Sequence, residues 1–274
     1  MVIGVVIETQ ALIGNESVAV GRIDRTRGRE GAATGPGGRD LPLAGRPRSG
    51  GRGRARRVAG LILLLPILGL AVIVFLALVY SALTPPSTLM LGRWLTGQPV
   101  QRTAVPLDAI SPHLVQAVIA SEDQRFCAHR GVDWTALRDV VDDEEGPSRG
   151  ASTITMQTVK NVFLWPGRSY IRKGLEIPLA MLADALWGKR RVMEIYLNVA
   201  EWGEGVFGAQ AAARHWFGKD ARALTRGEAA LLAATLPNPI ARSAGKPSRG
   251  VRAAAARIQG RLGQVEGLMS CLRG

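Results

Sequence analysis

From Val58 to Val79 the chain reads VAGLILLLPILGLAVIVFLALV, with no charged or polar side chain for roughly 22 residues. A run of that length crosses a hydrocarbon core about 30 Å thick. The pattern therefore predicts one transmembrane helix, placed at 58–83. A cleaved signal peptide has an apolar centre of only about 7–15 residues, and a soluble surface helix would keep a polar face. Neither fits this run.

Between Pro106 and Pro239 apolar positions recur at the three- and four-residue spacing of helices, and no strongly alternating strand is evident. Ser111-Pro112 has the form of an N-cap followed by proline at the first helical position. Leu114, Val115, Val118 and Ile119 then make an apolar stripe. Asp133 is expected to cap WTALRDVV and Ser152 to cap TITMQTVKNVFL. Ser169 starts a long helix through Trp187, with Pro178 as a kink. RRVMEIYLNVAEW and GVFGAQAAARHWFG follow as further helices, and Thr225 with Glu228 makes a capping box.

The domains expected from these patterns are a disordered, basic cytoplasmic tail over 1–57, the span over 58–83, a juxtamembrane connector over 84–105, a helical catalytic domain over 106–240, and a basic C-terminal tail with a terminal helix over 241–274. RPRSGGRGRARR precedes the apolar run and SALTPPSTLMLG follows it, which orients the N-terminus to the cytoplasm. Everything after Tyr80 then lies outside the cytoplasmic membrane.

The net charge of +13 raises nucleic acid as a partner. Its distribution argues otherwise: about +6 lies before Val58, about +1 between Val58 and Ile240, and about +6 after it. Basic tails of this kind suit anionic lipid headgroups, and no nucleic-acid motif is present. Cys127 and Cys271 could pair in an oxidising compartment or stand as two free thiols.

One residue breaks the helical pattern in a telling way. Glu122 stands three, four and seven positions after Ile119, Val118 and Val115, so it continues their apolar face near the end of its helix. A carboxylate there is costly unless it is paired or lines a cleft. A helix-end salt bridge is the plain alternative.

The company of Glu122 makes the pattern specific. Glu122-Asp123 with Phe126, His129 and Gly131, then Gly150 to Asn161, Arg172-Lys173 with Glu176, Lys189 to Asn198, and GEAALLAATLPNP occur in that order. In these five stretches the chain resembles the peptidoglycan glycosyltransferases of the family 51 type, in particular their monofunctional biosynthetic members, over roughly residues 84–262. The resemblance implies a mainly α, lysozyme-like glycosyltransferase domain behind one transmembrane helix. It implies an inverting hexosyltransferase that polymerises lipid II into linear β-1,4-linked GlcNAc-MurNAc strands and releases polyprenyl diphosphate. The implied setting is the cytoplasmic (inner) membrane, with the catalytic domain in the periplasm. Partners would be lipid II, the growing strand, the membrane, and cell wall synthesis or division proteins, with no nucleic acid. No Lys-Thr-Gly motif occurs, so peptide crosslinking is not expected.

Such a reaction needs one base for the acceptor hydroxyl and several cations for a diphosphate leaving group. Glu122 is the expected base, partly desolvated so that its pKa rises toward working pH. Gln157, Lys160 and Asn161 share one polar helix stripe. By the resemblance they line the sugar-diphosphate cleft with Ser152 and Arg168, although a solvated helix face would look the same. The family often has two glutamines where this chain has Met156-Gln157, so no role is carried to Met156. Glu176 is the second acid the resemblance marks as catalytic, with Arg172 and Lys173 one turn before it. It would orient the diphosphate site or hold a divalent cation, Mg²⁺ or Mn²⁺; a surface ion-pair network is the alternative. Asp123, Phe126, His129 and Gly131 are expected to support the motif, His113 and His215 to be structural, and Glu194 and Asn198 to support the fold.

Two further readings are compatible with paired carboxylates in a helical, wall-facing domain. A lysozyme-like peptidoglycan hydrolase would need no diphosphate site. A membrane-anchored wall scaffold would leave the stripe of Gln157, Lys160 and Asn161 without a task.

Overall fold

The computed structural model describes residues 50–142, 150–167 and 169–272, with side chains from Leu64 onward except that of Val141. Helix α3 (Pro112–Glu122) is its centre. Every residue from Leu114 to Ala120 is buried, including Gln116, so α3 is enclosed rather than amphipathic. Two helices explain this. Helix α8 (Arg226–Thr235) brings Ala229, Ala230, Leu232 and Ala233, and helix α9 (Arg249–Glu266) brings Val251, Ala255, Ile258, Leu262 and Val265. Both pack on α3 and on each other. The segment expected as a basic tail with a terminal helix is therefore part of the same body, because the apolar stripe of α9 is needed to cover α3.

The expected connector likewise belongs to this body. Residues 84–105 contain α2 (Thr88–Leu95), which buries Met90 completely and packs on α5 (Ile154–Phe163), and strand β1 (Gln101–Arg102). β1 runs parallel to β3 (Val206–Phe207), with Gln101 beside Val206, and β2 (Glu201–Gly203) is antiparallel to β3. Strands of two or three residues are too short for an alternating pattern to show. Asn198 secures the junction: its amide donates to Val105 O at 2.8 Å and accepts from Val105 N–H at 2.9 Å. Glu194 Oε2 accepts from Leu107 N–H at 2.9 Å, so both residues support the fold as the sequence leads one to expect.

Most caps are where the sequence places them. Ser111, Asp133, Ser169 and Thr225 each accept a backbone N–H at a helix start, the last within a capping box. For α5 the cap is Thr153, not Ser152: its hydroxyl accepts from Met156 N–H and donates to Gly131 O at 2.6 Å. The long α6 (Tyr170–Val199) contains Pro178 but is interrupted at Gly188, whose φ of +66° side-chain-bearing residues rarely adopt. The expected division after Trp187 is thus made by a glycine. Between α6 and α7 (Ala209–Phe217) the two short strands intervene.

Helix α1 (Gly50–Tyr80) contains the apolar run. Its end docks on the body: Trp187 Nε1 donates to Ala77 O at 2.7 Å, Arg191 Nε donates to Tyr80 O at 3.0 Å, and Phe163 lies between the rings of Tyr80 and Trp187. Farther back, Leu64, Leu65, Ile67, Leu68 and Phe75 are all exposed. Among the described residues no helix is long and apolar enough to cross a membrane; the described side chains begin at Leu64, whereas the apolar run begins at Val58. A disulfide joins Cys127, in the loop after α3, to Cys271, beyond α9. The two open alternatives for these thiols resolve to pairing.

Candidate active site

Glu122 occupies the last turn of α3, half-buried, on the wall of a cleft of about 530 Å³ that Asp123, Arg125, Asp133, Ser152 and Arg261 also line. Its Oε2 accepts from Gln157 Nε2 at 2.9 Å. Gln157 in turn lines a second cleft of about 440 Å³, with Lys160, Asn161, Arg172 and Tyr196. The Glu122–Gln157 hydrogen bond thus connects the walls of two clefts. Burial pushes the Glu122 carboxyl above the ordinary carboxylate range, and Asp123 adds to the rise. Hydrogen bonds from Gln157 and Ser121, and the charge of Lys160, pull the other way. The plain alternative of a helix-end salt bridge is not what the described residues form, since Glu122 is hydrogen-bonded by the Gln157 amide and the Ser121 hydroxyl rather than by a cation.

Tyr196, in the second half of α6, escaped the sequence reading. Its hydroxyl donates to Gln157 Oε1 at 3.2 Å, and the residue is almost wholly buried. The available signal was a polar-tipped aromatic within KRRVMEIYLN, where its neighbours Met193, Ile195 and Leu197 are core.

The cations gather around Glu176, which is 3 % exposed. One oxygen pairs with Arg172 Nη1, one turn earlier, and the other accepts from Lys173 Nζ at 2.9 Å. Lys173 also donates to Ser152 Oγ at 2.6 Å. Having no cap to form, Ser152 is free for this bond. Burial lowers the pKa of Lys160, Glu176 opposes that, and Arg172 and Lys173 reinforce it. Lys160 and Arg172 line the second cleft, Lys173 stands behind them against Ser152, and these three cations outnumber the one carboxylate, Glu176, among them; Glu201, which also lines that cleft, is paired with Arg93. Arg172 and Glu176 are buried, so the pairing is not a surface network.

The supporting residues form a separate brace. Asp123 accepts from His129 Nε2 at 3.0 Å and from the Ile154 N–H at 3.0 Å, tying the loop after α3 to the start of α5. Lys189 Nζ lies 4.7 Å from the centre of the buried Phe126 ring and pairs with Asp184 at 2.7 Å. Gly131 has φ +80°, and a Cβ there would stand 2.5 Å from Ala180 O. Met156 is buried in the core. Arg168 lies outside the described residues.

The expected divalent ion does not fit Glu176 as placed, because both carboxylate oxygens are taken by cations. Among the described residues, no group of three His, Cys, Asp or Glu could hold a metal. Glu176 also lines neither cleft, so it touches them only through Arg172 and Ser152-bound Lys173.

A base on one wall and excess positive charge beside the other can serve transfer of a group from an anionic leaving group to a hydroxyl. Comparison with known proteins agrees. The Transglycosylase family model matches residues 89–264. A biosynthetic peptidoglycan transglycosylase of Rhizobium meliloti is 53% identical over 223 residues, 81% of this chain and 94% of its own. One from Brucella suis is 53% identical over 204 residues, 73% and 91%, and one from Rhodospirillum centenum 52% over 227, 81% and 95%. With matches of that extent over the body that holds both clefts, the chain belongs to the transglycosylase family and is a peptidoglycan glycosyltransferase.

Proposed function

We propose that this chain joins lipid II units into β-1,4-linked glycan strands, with Glu122 as the base. The observation that carries the assignment is the half-buried Glu122 bonded across to the wall of a cleft with an excess of cations. The growing strand lies with its MurNAc C1 and diphosphate toward Lys160, Arg172 and Lys173. The next lipid II brings its GlcNAc 4-hydroxyl to Glu122 from the first cleft. Glu122 takes the hydroxyl proton as the oxygen bonds to C1, and the C1–O bond to the diphosphate breaks. One displacement inverts the α-linked donor to a β linkage. The leaving diphosphate's charge is met by the cations, arginine by its paired donors and lysine as a compact charge. Glu176 holds Arg172 and Lys173 in place and keeps them from repelling each other.

Both substrates carry polyprenyl anchors, so the enzyme works at a membrane. We assign α1 as the single span, with the N-terminus cytoplasmic and the clefts outside. The Cys127–Cys271 disulfide supports that side, since such bonds persist in oxidising compartments.

The test is incubation of the purified protein in detergent with labelled lipid II, beside Glu122→Gln. Lysozyme-digestible polymer from the wild type alone supports the assignment. Equal polymer from a folded Glu122→Gln refutes the role of the base.

A further inference from the structure

We propose that Tyr196 is a positioning residue for glycosyl transfer: its hydroxyl fixes which end of the Gln157 amide faces Glu122, and so keeps that carboxylate ready to accept a proton. The proposal rests on Glu122 being the base.

An amide side chain has a donor end and an acceptor end, and rotation exchanges them. Here the acceptor end receives the Tyr196 hydroxyl at 3.2 Å and the donor end serves Glu122 at 2.9 Å. Tyr196 is about 1 % exposed, and its phenol proton has no other acceptor among the described residues. If the amide turned over, that proton would be buried without a partner, and Gln157 Oε1 would face a carboxylate oxygen. Two acceptors tolerate that contact only when the carboxyl is protonated, which disables a base. Burial, aided by the charges of Glu122 and Asp123, holds the phenol well above its ordinary pKa, so it remains a donor.

The other charged groups near Glu122 come from four elements. Asp123 follows it at the end of α3, Lys160 faces it from α5, Arg125 and Asp133 stand at the loop and cap before α4 (Trp134–Val141), and Arg261 reaches the cleft from α9. Replacing Tyr196 by phenylalanine removes one hydroxyl and leaves all of these in place. It also keeps the ring that fills the core.

The experiment measures kcat and KM for labelled lipid II polymerisation from acid to alkaline pH, for wild type and Tyr196→Phe, with thermal unfolding of each. A protonated Glu122 is favoured in the variant, so kcat falls about tenfold on the acid side and recovers as pH rises. KM changes little. A loss equal at every pH, or none, overturns the proposal. Gln157→Met removes the amide and shows the same acid-side loss. Adding Tyr196→Phe to it brings no further loss if the hydroxyl acts through the amide; additive losses overturn the proposal. Should Tyr196→Phe fail to fold, Gln157→Met alone decides whether the amide sets the acid limb. An active Glu122→Gln would refute the base itself, whereas an inactive one with an unshifted Tyr196→Phe profile refutes only the relay.

Discussion

Breaking the Cys127–Cys271 bridge measures how much the ends of the catalytic body depend on each other. The two cysteines are 144 residues apart in sequence. Closing a loop of that size removes denatured-state entropy worth about 5 kcal/mol at 25 °C on the chain-entropy account. Native contacts at both ends survive without the bond. Phe126 is buried against Lys189, while Leu272 is buried and its carbonyl accepts from Arg190 Nη1 at 3.1 Å. The loss therefore falls mainly on the denatured state, and about 2–5 kcal/mol is expected in practice. For a body of this size each kcal/mol moves Tm by roughly 2–4 °C, so Tm falls by about 5–20 °C. The assay follows thermal unfolding in detergent by tryptophan fluorescence, for oxidised wild type, wild type with reductant, and Cys127→Ser/Cys271→Ser. Reduced wild type and the double variant should unfold together, well below the oxidised protein. Both unfolding with the oxidised protein would refute the reasoning, because a constraint on so long a loop cannot be removed without effect. Activity well below Tm should persist, because Asp123 is held separately by His129 and the Ile154 N–H.

Two other perturbations test separate parts of the site. The lowered pKa of Lys160 means its charge is lost as pH rises through a value below the ordinary lysine range; a diphosphate substrate binds the charged form, so KM should rise with pH there. Lys160→Arg, always charged, should flatten that rise, and Lys160→Met should weaken binding about 10- to 100-fold; an unchanged KM–pH profile in both would remove Lys160 from the diphosphate site. Gly131→Ala forces a Cβ toward Ala180 O at a positive φ, so the denaturant midpoint should drop by the equivalent of about 2–4 kcal/mol. A midpoint like that of wild type would show that the loop can shift away from α6.

What could be read from the sequence was mostly local. Ser111, Asp133, Ser169 and Thr225 cap helices through bonds that reach only two or three residues ahead, so identity and spacing announce them. Glu122 was legible because a carboxylate on an apolar helix face conflicts with its surroundings whatever the fold. The ordered motifs also brought Gln157, Lys160, Arg172, Lys173 and Glu176 to attention together.

Other features depend on elements distant in sequence. Thr153 rather than Ser152 caps α5 because Gly131 O waits beside one hydroxyl and Lys173 beside the other. The enclosure of α3 requires α9, whose stripe looks from sequence like any amphipathic tail. Cys127 and Cys271 become partners only when the loop after α3 and the segment beyond α9 meet. Tyr196 is buried among core residues, and its hydroxyl gains meaning only from the amide of Gln157, 39 residues earlier. Bonds within a helical turn are set mainly by neighbours along the chain, so sequence announces them unless, as at Ser152 and Thr153, two adjacent hydroxyls compete and a distant partner chooses between them. Bonds between elements, including the whole contact from phenol to base, exist only once packing has brought the elements together.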